Sequence, residues 1–202
     1  MSAKRILVLQ MKRIGDLILT AQALADLRAA HSRAEIVLVA AERCRDLAEC
    51  LPGVTQVLPY RPGRVNPHVW AAVSAGEWDA CLDFTGSDRS ALLSRLSGAA
   101  ARLGYRKFSG QGLRALAYTG LCPASVRDLH TRDFHRALVV EWTGKTPPVD
   151  VNEADSLLHF SPAIRDSVAA LVSRTGIRAP FAILHPGTAR REKFWPADRW
   201  GE

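Results

Sequence analysis

Near its amino terminus the chain runs Arg5-Ile-Leu-Val-Leu-Gln10, turns at Gly15, and then places Leu17, Ala21, Leu24, Ala25 and Leu27 at helical spacing up to about His31. A strand with one wet face alternates apolar and polar residues. A short, continuous apolar run instead marks a strand covered on both faces, as in parallel sheets. The same unit then recurs. Glu35–Ala40 reads as a strand and Glu42–Leu51 as a helix stopped by Pro52-Gly53. Thr55–Pro59, Asp79–Phe84 and Arg102–Tyr105 read as further strands, with helices over Pro67–Ala75 and Ser87–Leu96. Strand and helix alternating at this spacing predict an α/β fold with a Rossmann-like, doubly wound parallel sheet. The periodicity weakens between Lys107 and Asp128, and helices are again predicted over 131–142 and 162–175.

After Gly176 the strand pattern restarts at Phe181-Ala-Ile-Leu184, passes through His185-Pro-Gly-Thr188 and opens a helix near Trp195–Trp200. One strand and part of a helix cannot bury their own apolar faces. The expected organisation is therefore a domain over residues 1–175 and the start of a second over 176–202, with the natural protein continuing past Glu202.

Composition narrows the function classes. The formal charge is +7, but the basic residues are spread along the chain, concentrated only modestly at Arg61–Arg64, Arg102–Arg114 and Arg127–Arg136. No zinc-finger, RNA-recognition or helix-turn-helix pattern accompanies them, so no nucleic-acid partner is expected. An anionic small molecule, a phosphorylated glycolipid, a membrane surface or plain solvation each fits such charge. No run approaches the roughly 20 apolar residues of a membrane span. Lys12 and Arg13 interrupt the first apolar run too early for a signal peptide, so a cytoplasmic protein is expected. Cys44, Cys50, Cys81 and Cys122 form no CxxC and have no histidine at ligand spacing. They read as reduced structural thiols, and no metal site is expected.

Two segments could carry chemistry. The first, Met11-Lys-Arg-Ile-Gly-Asp16, follows the first strand, where open parallel sheets bind ligands. A carboxylate there could accept a proton from a hydroxyl group. The competing reading of Asp16 is a helix cap, although Leu19 rules out a capping box. The second, His185-Pro-Gly-Thr-Ala-Arg-Arg-Glu-Lys193, is a strand–loop–helix passage. There Thr188, backbone N–H groups and Lys193 could hold phosphate oxygens, with added charge from Arg190 and Arg191. The competing reading is an ordinary basic loop.

The ordered series of motifs resembles family-nine glycosyltransferases, the lipopolysaccharide heptosyltransferases. It comprises Arg5-Ile-Leu-Val-Leu with Ile-Gly-Asp16-Leu-Ile-Leu-Thr20, Glu35-Ile-Val-Leu-Val, and Pro52-Gly-Val-Thr-Gln-Val-Leu-Pro59. It continues with Trp78-Asp-Ala-Cys-Leu-Asp-Phe-Thr-Gly-Ser87, Arg102-Leu-Gly-Tyr105, a helix beginning near His130, and His185-Pro-Gly-Thr188 with Lys193-Phe-Trp-Pro196. The resemblance spans nearly the whole chain and implies the first half of a GT-B-type, two-domain enzyme. It implies inverting transfer of a heptose from a nucleotide sugar such as ADP-heptose to the inner core of lipopolysaccharide, with no cofactor beyond the donor. By the same resemblance Asp16 is the general base, Thr188 and Lys193 contact the donor phosphates, and Arg61, Arg64 and Lys107 face an anionic acceptor. A lipid-linked acceptor leaves room for peripheral contact with the inner face of the membrane. Ala21-Gln22 departs from the family, which often has proline before the Ala-Leu pair, so the first helix is expected to start or pack differently. Two other readings stay open: a non-catalytic module that binds an anionic glycan or a partner, and a transferase for a different nucleotide sugar.

Overall fold

The computed structural model describes residues 3–110, 114, 116–145, 157–178, 180–185, 187–188 and 191–201. They fall into two compact units, Met1–His159 and Phe160–Glu202. This division by contacts lies upstream of the boundary at residue 175 expected from the sequence.

The first unit is built on six parallel strands, β1 (Arg5–Gln10), β2 (Glu35–Ala41), β3 (Gln56–Tyr60), β4 (Ala80–Asp83), β5 (Ala101–Tyr105) and β6 (Gly120–Cys122). Their spatial order is β3-β2-β1-β4-β5-β6. Every strand pairs in parallel, with Leu7 beside Val37 on one side and Cys81 on the other. The helices are α1 (Ile14–Ile18), α2 (Ala21–Ala30), α3 (Arg45–Ala48), α4 (Pro67–Ala75), α5 (Asp88–Leu96), α6 (Arg106–Ser109) and α7 (Thr131–Thr143).

The continuous apolar strands are buried on both faces, as their composition requires. Successive side chains point to opposite sides. Ile6, Val8, Ile36 and Leu38 therefore join Leu24 and Leu27 of α2 with Phe134 and Leu138 of α7 in one core. Leu7, Leu9, Val37 and Val39 join Val69 and Val73 of α4 with Leu93 of α5 in the other. Each fully buried leucine contributes about 1.5–3 kcal/mol of transfer free energy. α5 starts at a capping box, Ser87 with Ser90. α7 ends at Gly144, whose φ of 64° is the left-handed conformation that glycine adopts without strain.

Several elements of this unit differ from the sequence reading, among them α6, which was not predicted. The helix predicted from Leu17 to His31 begins at Ile14 and is broken at Leu19–Thr20 into α1 and α2. The helix predicted over 42–51 is a 3-10 turn, Glu42–Cys44, followed by the single turn of α3. Also missed is β6, a three-residue strand that pairs only with β5.

In the second unit, α8 (Pro162–Thr175) is capped by Ser161, whose hydroxyl accepts the Ile164 N–H at 3.3 Å, and it ends at Gly176. Phe181–Leu184, predicted as a strand, has no strand partner among the described residues and is assigned to no strand. A parallel strand exists only through a neighbour's hydrogen bonds. Short 3-10 turns follow at Arg191–Lys193 and Ala197–Gly201. No helix is long and apolar enough to cross a membrane among the described residues.

Candidate functional site

The strand order reverses between β1 and β4, because the chain grows outward from β1 through β2 to β3 and then returns to place β4 on β1's other side. In open parallel sheets the loops leaving the carboxyl ends of strands part at such a switch point and form a crevice. Here the two loops are Met11–Arg13 after β1 and Phe84–Ser87 after β4.

Asp83, the last residue of β4, organises the second loop. Its side chain is fully buried. Its Oδ1 accepts the N–H groups of Thr85 at 2.8 Å and Gly86 at 3.0 Å, and its Oδ2 accepts the Tyr118 hydroxyl at 2.6 Å. Burial pushes the Asp83 carboxyl above its usual range, while these donors pull it back down. The Tyr118 hydroxyl is driven up by its own burial and by Asp83, so it remains a donor. Tyr118 reaches Asp83 by passing over β5 at Gly104, where a Cβ would lie 2.7 Å from its ring. The two crevice loops are also tied to each other. Thr85 Oγ1 accepts the Met11 N–H at 2.9 Å and donates to the Leu9 carbonyl at 3.2 Å.

Asp16 lies on the β1 side of the crevice, in the first turn of α1. It is not the helix cap, a position Arg13 occupies without a side-chain bond. The Asp16 side chain is half-buried, and its carboxylate forms no hydrogen bond or ion pair with a described residue. Beneath it sits a buried polar cluster. Thr20 Oγ1 donates to the Asp16 carbonyl at 2.8 Å, accepts from Gln10 Nε2 at 2.9 Å, and lies 3.1 Å from His135 Nδ1 on α7. The His135 ring meets Phe84 edge-on at 5.3 Å between centroids. Burial, reinforced by Lys12, lowers the His135 pKa to about 4, against smaller upward pulls from a hydrogen bond to the Leu19 backbone and from Asp16. The ring is therefore neutral near pH 7.

The other predicted residues of this unit follow the carboxyl ends of neighbouring strands. Arg61 and Arg64 follow β3, and Lys107 is in α6 directly after β5. The topology thus places Asp16, Arg61, Arg64 and Lys107 along one edge of the sheet. The loop 61–66 is shaped by fully buried Asn66, whose Oδ1 accepts the Arg61 N–H at 2.7 Å. Asn66 Nδ2 donates to the carbonyls of Arg61 at 3.0 Å and Arg64 at 2.7 Å. Arg61 Nε pairs with Glu42 Oε1 at 2.7 Å, while the Arg64 side chain is exposed.

In the second unit Thr188 is half-buried and Lys193 exposed at the end of the 3-10 turn Arg191–Lys193. Arg190 and the side chain of Arg191 lie outside the described residues. Among the described residues no group of three His, Cys, Asp or Glu side chains could hold a metal ion.

Sequence reasoning did not find Asp83, Thr85, Tyr118, Gln10, Thr20, His135 or Asn66. One signal was present: a carboxylate at the end of the otherwise apolar run Ala80-Cys-Leu-Asp83 is costly to bury unless it is bonded.

The fold is that of known glycosyltransferases. A glycosyl transferase family 9 protein from Veillonella parvula superposes with a TM-score of 0.78 at 22% identity, over 98% of this chain and 57% of that one. E. coli heptosyltransferase WaaC, solved with ADP, gives 0.73 at 22% identity, over 97% of this chain and 60% of that one. E. coli ADP-heptose lps heptosyltransferase II gives 0.65 at 19% identity, over 87% and 51%. The chain thus spans less than two thirds of the length of these structures. No curated protein matches the sequence significantly. Residues 68–202 match the model of glycosyltransferase family 9 (heptosyltransferase). That match covers more than half of the chain, and the chain belongs to glycosyltransferase family 9.

Proposed function

We propose that this chain supplies the acceptor side and the first donor-side residues of an inverting glycosyltransferase. The reaction moves a heptose from a nucleotide-activated donor, ADP-heptose, to the inner core of lipopolysaccharide. The observation that carries the reading is the Asp16 carboxylate, half-buried at the carboxyl end of β1 beside the switch point and hydrogen-bonded to no described residue. A general base must reach its substrate's proton, and a carboxylate locked in an ion pair would be a poorer one. Solved relatives hold ADP and ADP-2-deoxy-2-fluoro heptose, which supports a nucleotide-sugar donor.

In this reading Asp16 takes the proton of the acceptor hydroxyl as that oxygen attacks the anomeric carbon from the face opposite the leaving nucleotide, inverting the centre. Thr188 and Lys193 stabilise the negative charge that develops on the departing diphosphate. Arg61, Arg64 and Lys107 attract acidic groups of the acceptor. Ile14 and Ile18, 57% and 44% exposed on either side of Asp16, offer apolar contact to a lipid-linked acceptor. They suit work at the inner face of a membrane from the cytoplasm. The donor itself is the only small molecule the reaction requires.

The test is transfer by the full-length protein from ADP-heptose to an inner-core acceptor, compared with Asp16→Asn. The variant should fold normally and lose turnover by about 10²–10⁴-fold, the usual worth of a positioned base. Normal turnover in Asp16→Asn refutes the general-base role. Transfer from another nucleotide sugar in place of ADP-heptose would correct the donor and leave the site in place.

A further inference from the structure

We propose that His135 is a positioning residue for Asp16, acting through the Thr20 hydroxyl; this rests on the general-base reading of Asp16. The Asp16 carboxylate has no side-chain hydrogen bond or ion pair among the described residues, so the backbone of its turn has a large part in where it points. That backbone is held by its own carbonyl, which accepts the single proton of the Thr20 hydroxyl at 2.8 Å. The two lone pairs of Thr20 Oγ1 then face Gln10 Nε2 at 2.9 Å and His135 Nδ1 at 3.1 Å. With the hydroxyl proton already given to Asp16, the contact with His135 is a hydrogen bond only if Nδ1 carries a proton. Nε2 is then the bare nitrogen of a neutral ring.

Gln10, Thr20 and His135 come from the end of β1, the start of α2 and the first turns of α7, and all are at most 1% exposed. Low dielectric strengthens the hydrogen bonds around the Thr20 hydroxyl, although the cluster is not saturated, since Gln10 Oε1 has no partner among the described residues. The same hydroxyl sits where the predicted single helix breaks into α1 and α2. The break therefore coincides with the side-chain bond that the Asp16 carbonyl accepts. Displacing a catalytic group by about 1 Å can cost on the order of 10²-fold in rate, and the Asp16 carboxylate has no hydrogen bond to a described residue that would restore its position.

The experiment uses the full-length protein with His135→Leu, His135→Asn and Asp16→Asn, assayed by kcat and KM with ADP-heptose, beside 15N NMR of the wild-type histidines. His135→Leu removes the donor. His135→Asn puts an amide N–H where Nδ1 stands. The expected results are an Nδ1-protonated, neutral His135 and a kcat lowered about 10–100-fold in His135→Leu with donor KM within about twofold. Recovery of most of that kcat is expected in His135→Asn. An Nε2-protonated ring overturns the proposal, as does wild-type kcat in His135→Leu beside an inactive Asp16→Asn. A fully active Asp16→Asn removes the general-base reading and this proposal with it. If His135→Leu does not fold, the tautomer and the His135→Asn kcat decide: an inactive but folded His135→Asn overturns the proposal.

Discussion

Tyr118→Phe should destabilise the first unit by an amount that grows with pH. The hydroxyl donates at 2.6 Å to the fully buried Asp83 carboxyl, which without it keeps the N–H groups of Thr85 and Gly86. A hydrogen bond to a charged group contributes about 1.5–3 kcal/mol net, and one between neutral groups about 0.5–1.5 kcal/mol. The variant should therefore cost about 2 kcal/mol where Asp83 is ionised and about 1 kcal/mol where it is protonated. Burial raises the Asp83 pKa above 3.8, and the Tyr118 bond opposes that rise. A carboxyl raised in the fold contributes most below its unfolded pKa, and its contribution is lost as pH climbs through the folded one. Removing Tyr118 lifts the folded pKa further, so the loss deepens on the alkaline side. Denaturant unfolding of both proteins across the pH range from acid to alkaline measures this, and the other titrating groups cancel in the difference. For a chain of this size about 2 kcal/mol corresponds to a Tm lower by roughly 4–8 °C. A penalty that stays constant across the pH range would refute the reasoning, as would a coupling energy near zero between Asp83→Asn and Tyr118→Phe.

Two further perturbations test neighbouring parts of the edge. The His135 pKa is lowered from 6.5 to about 4, so the unfolded chain binds more protons between those values and stability should fall as pH drops through that window. The expected loss is about 3 kcal/mol, read as the slope of unfolding free energy against pH, and His135→Asn should flatten it. Asn66→Ala leaves one N–H and two carbonyls of the 61–66 loop without their partner. It should lower stability by about 2–3 kcal/mol and raise the KM for an anionic acceptor more than it lowers kcat, as steady-state kinetics would record.

What was legible in the sequence follows from what local pattern can report. The runs Ile6–Leu9 and Ile36–Ala41 are apolar because both faces are covered, and that fact is written in each run without reference to its neighbours. That Asp16 follows the first strand was legible for a similar reason, since position after a strand is a local property. β6 was not, because Gly120–Cys122 is a strand only by virtue of β5 and of Thr119, whose hydroxyl accepts the Arg102 N–H at 2.8 Å. The helix break at Leu19–Thr20 was hidden for the same reason. The apolar spacing runs straight through it, and the groups around the Thr20 hydroxyl include one 115 residues away.

The difference between the visible and hidden parts of the site is one of pairing. Apolar periodicity announces burial, and burial of a leucine needs no particular partner, so pattern is enough. Asp83, Thr20 and His135 are tolerated in the interior only because named donors and acceptors meet them there. Which groups meet depends on strand order and on which face α7 covers. At Gly104 such a meeting leaves a local trace, because the Tyr118 ring passes where a side chain at 104 would stand. A larger residue at 104 should therefore disturb Asp83, one strand away, and through the Thr85–Met11 bond the loop that leads into the helix of Asp16.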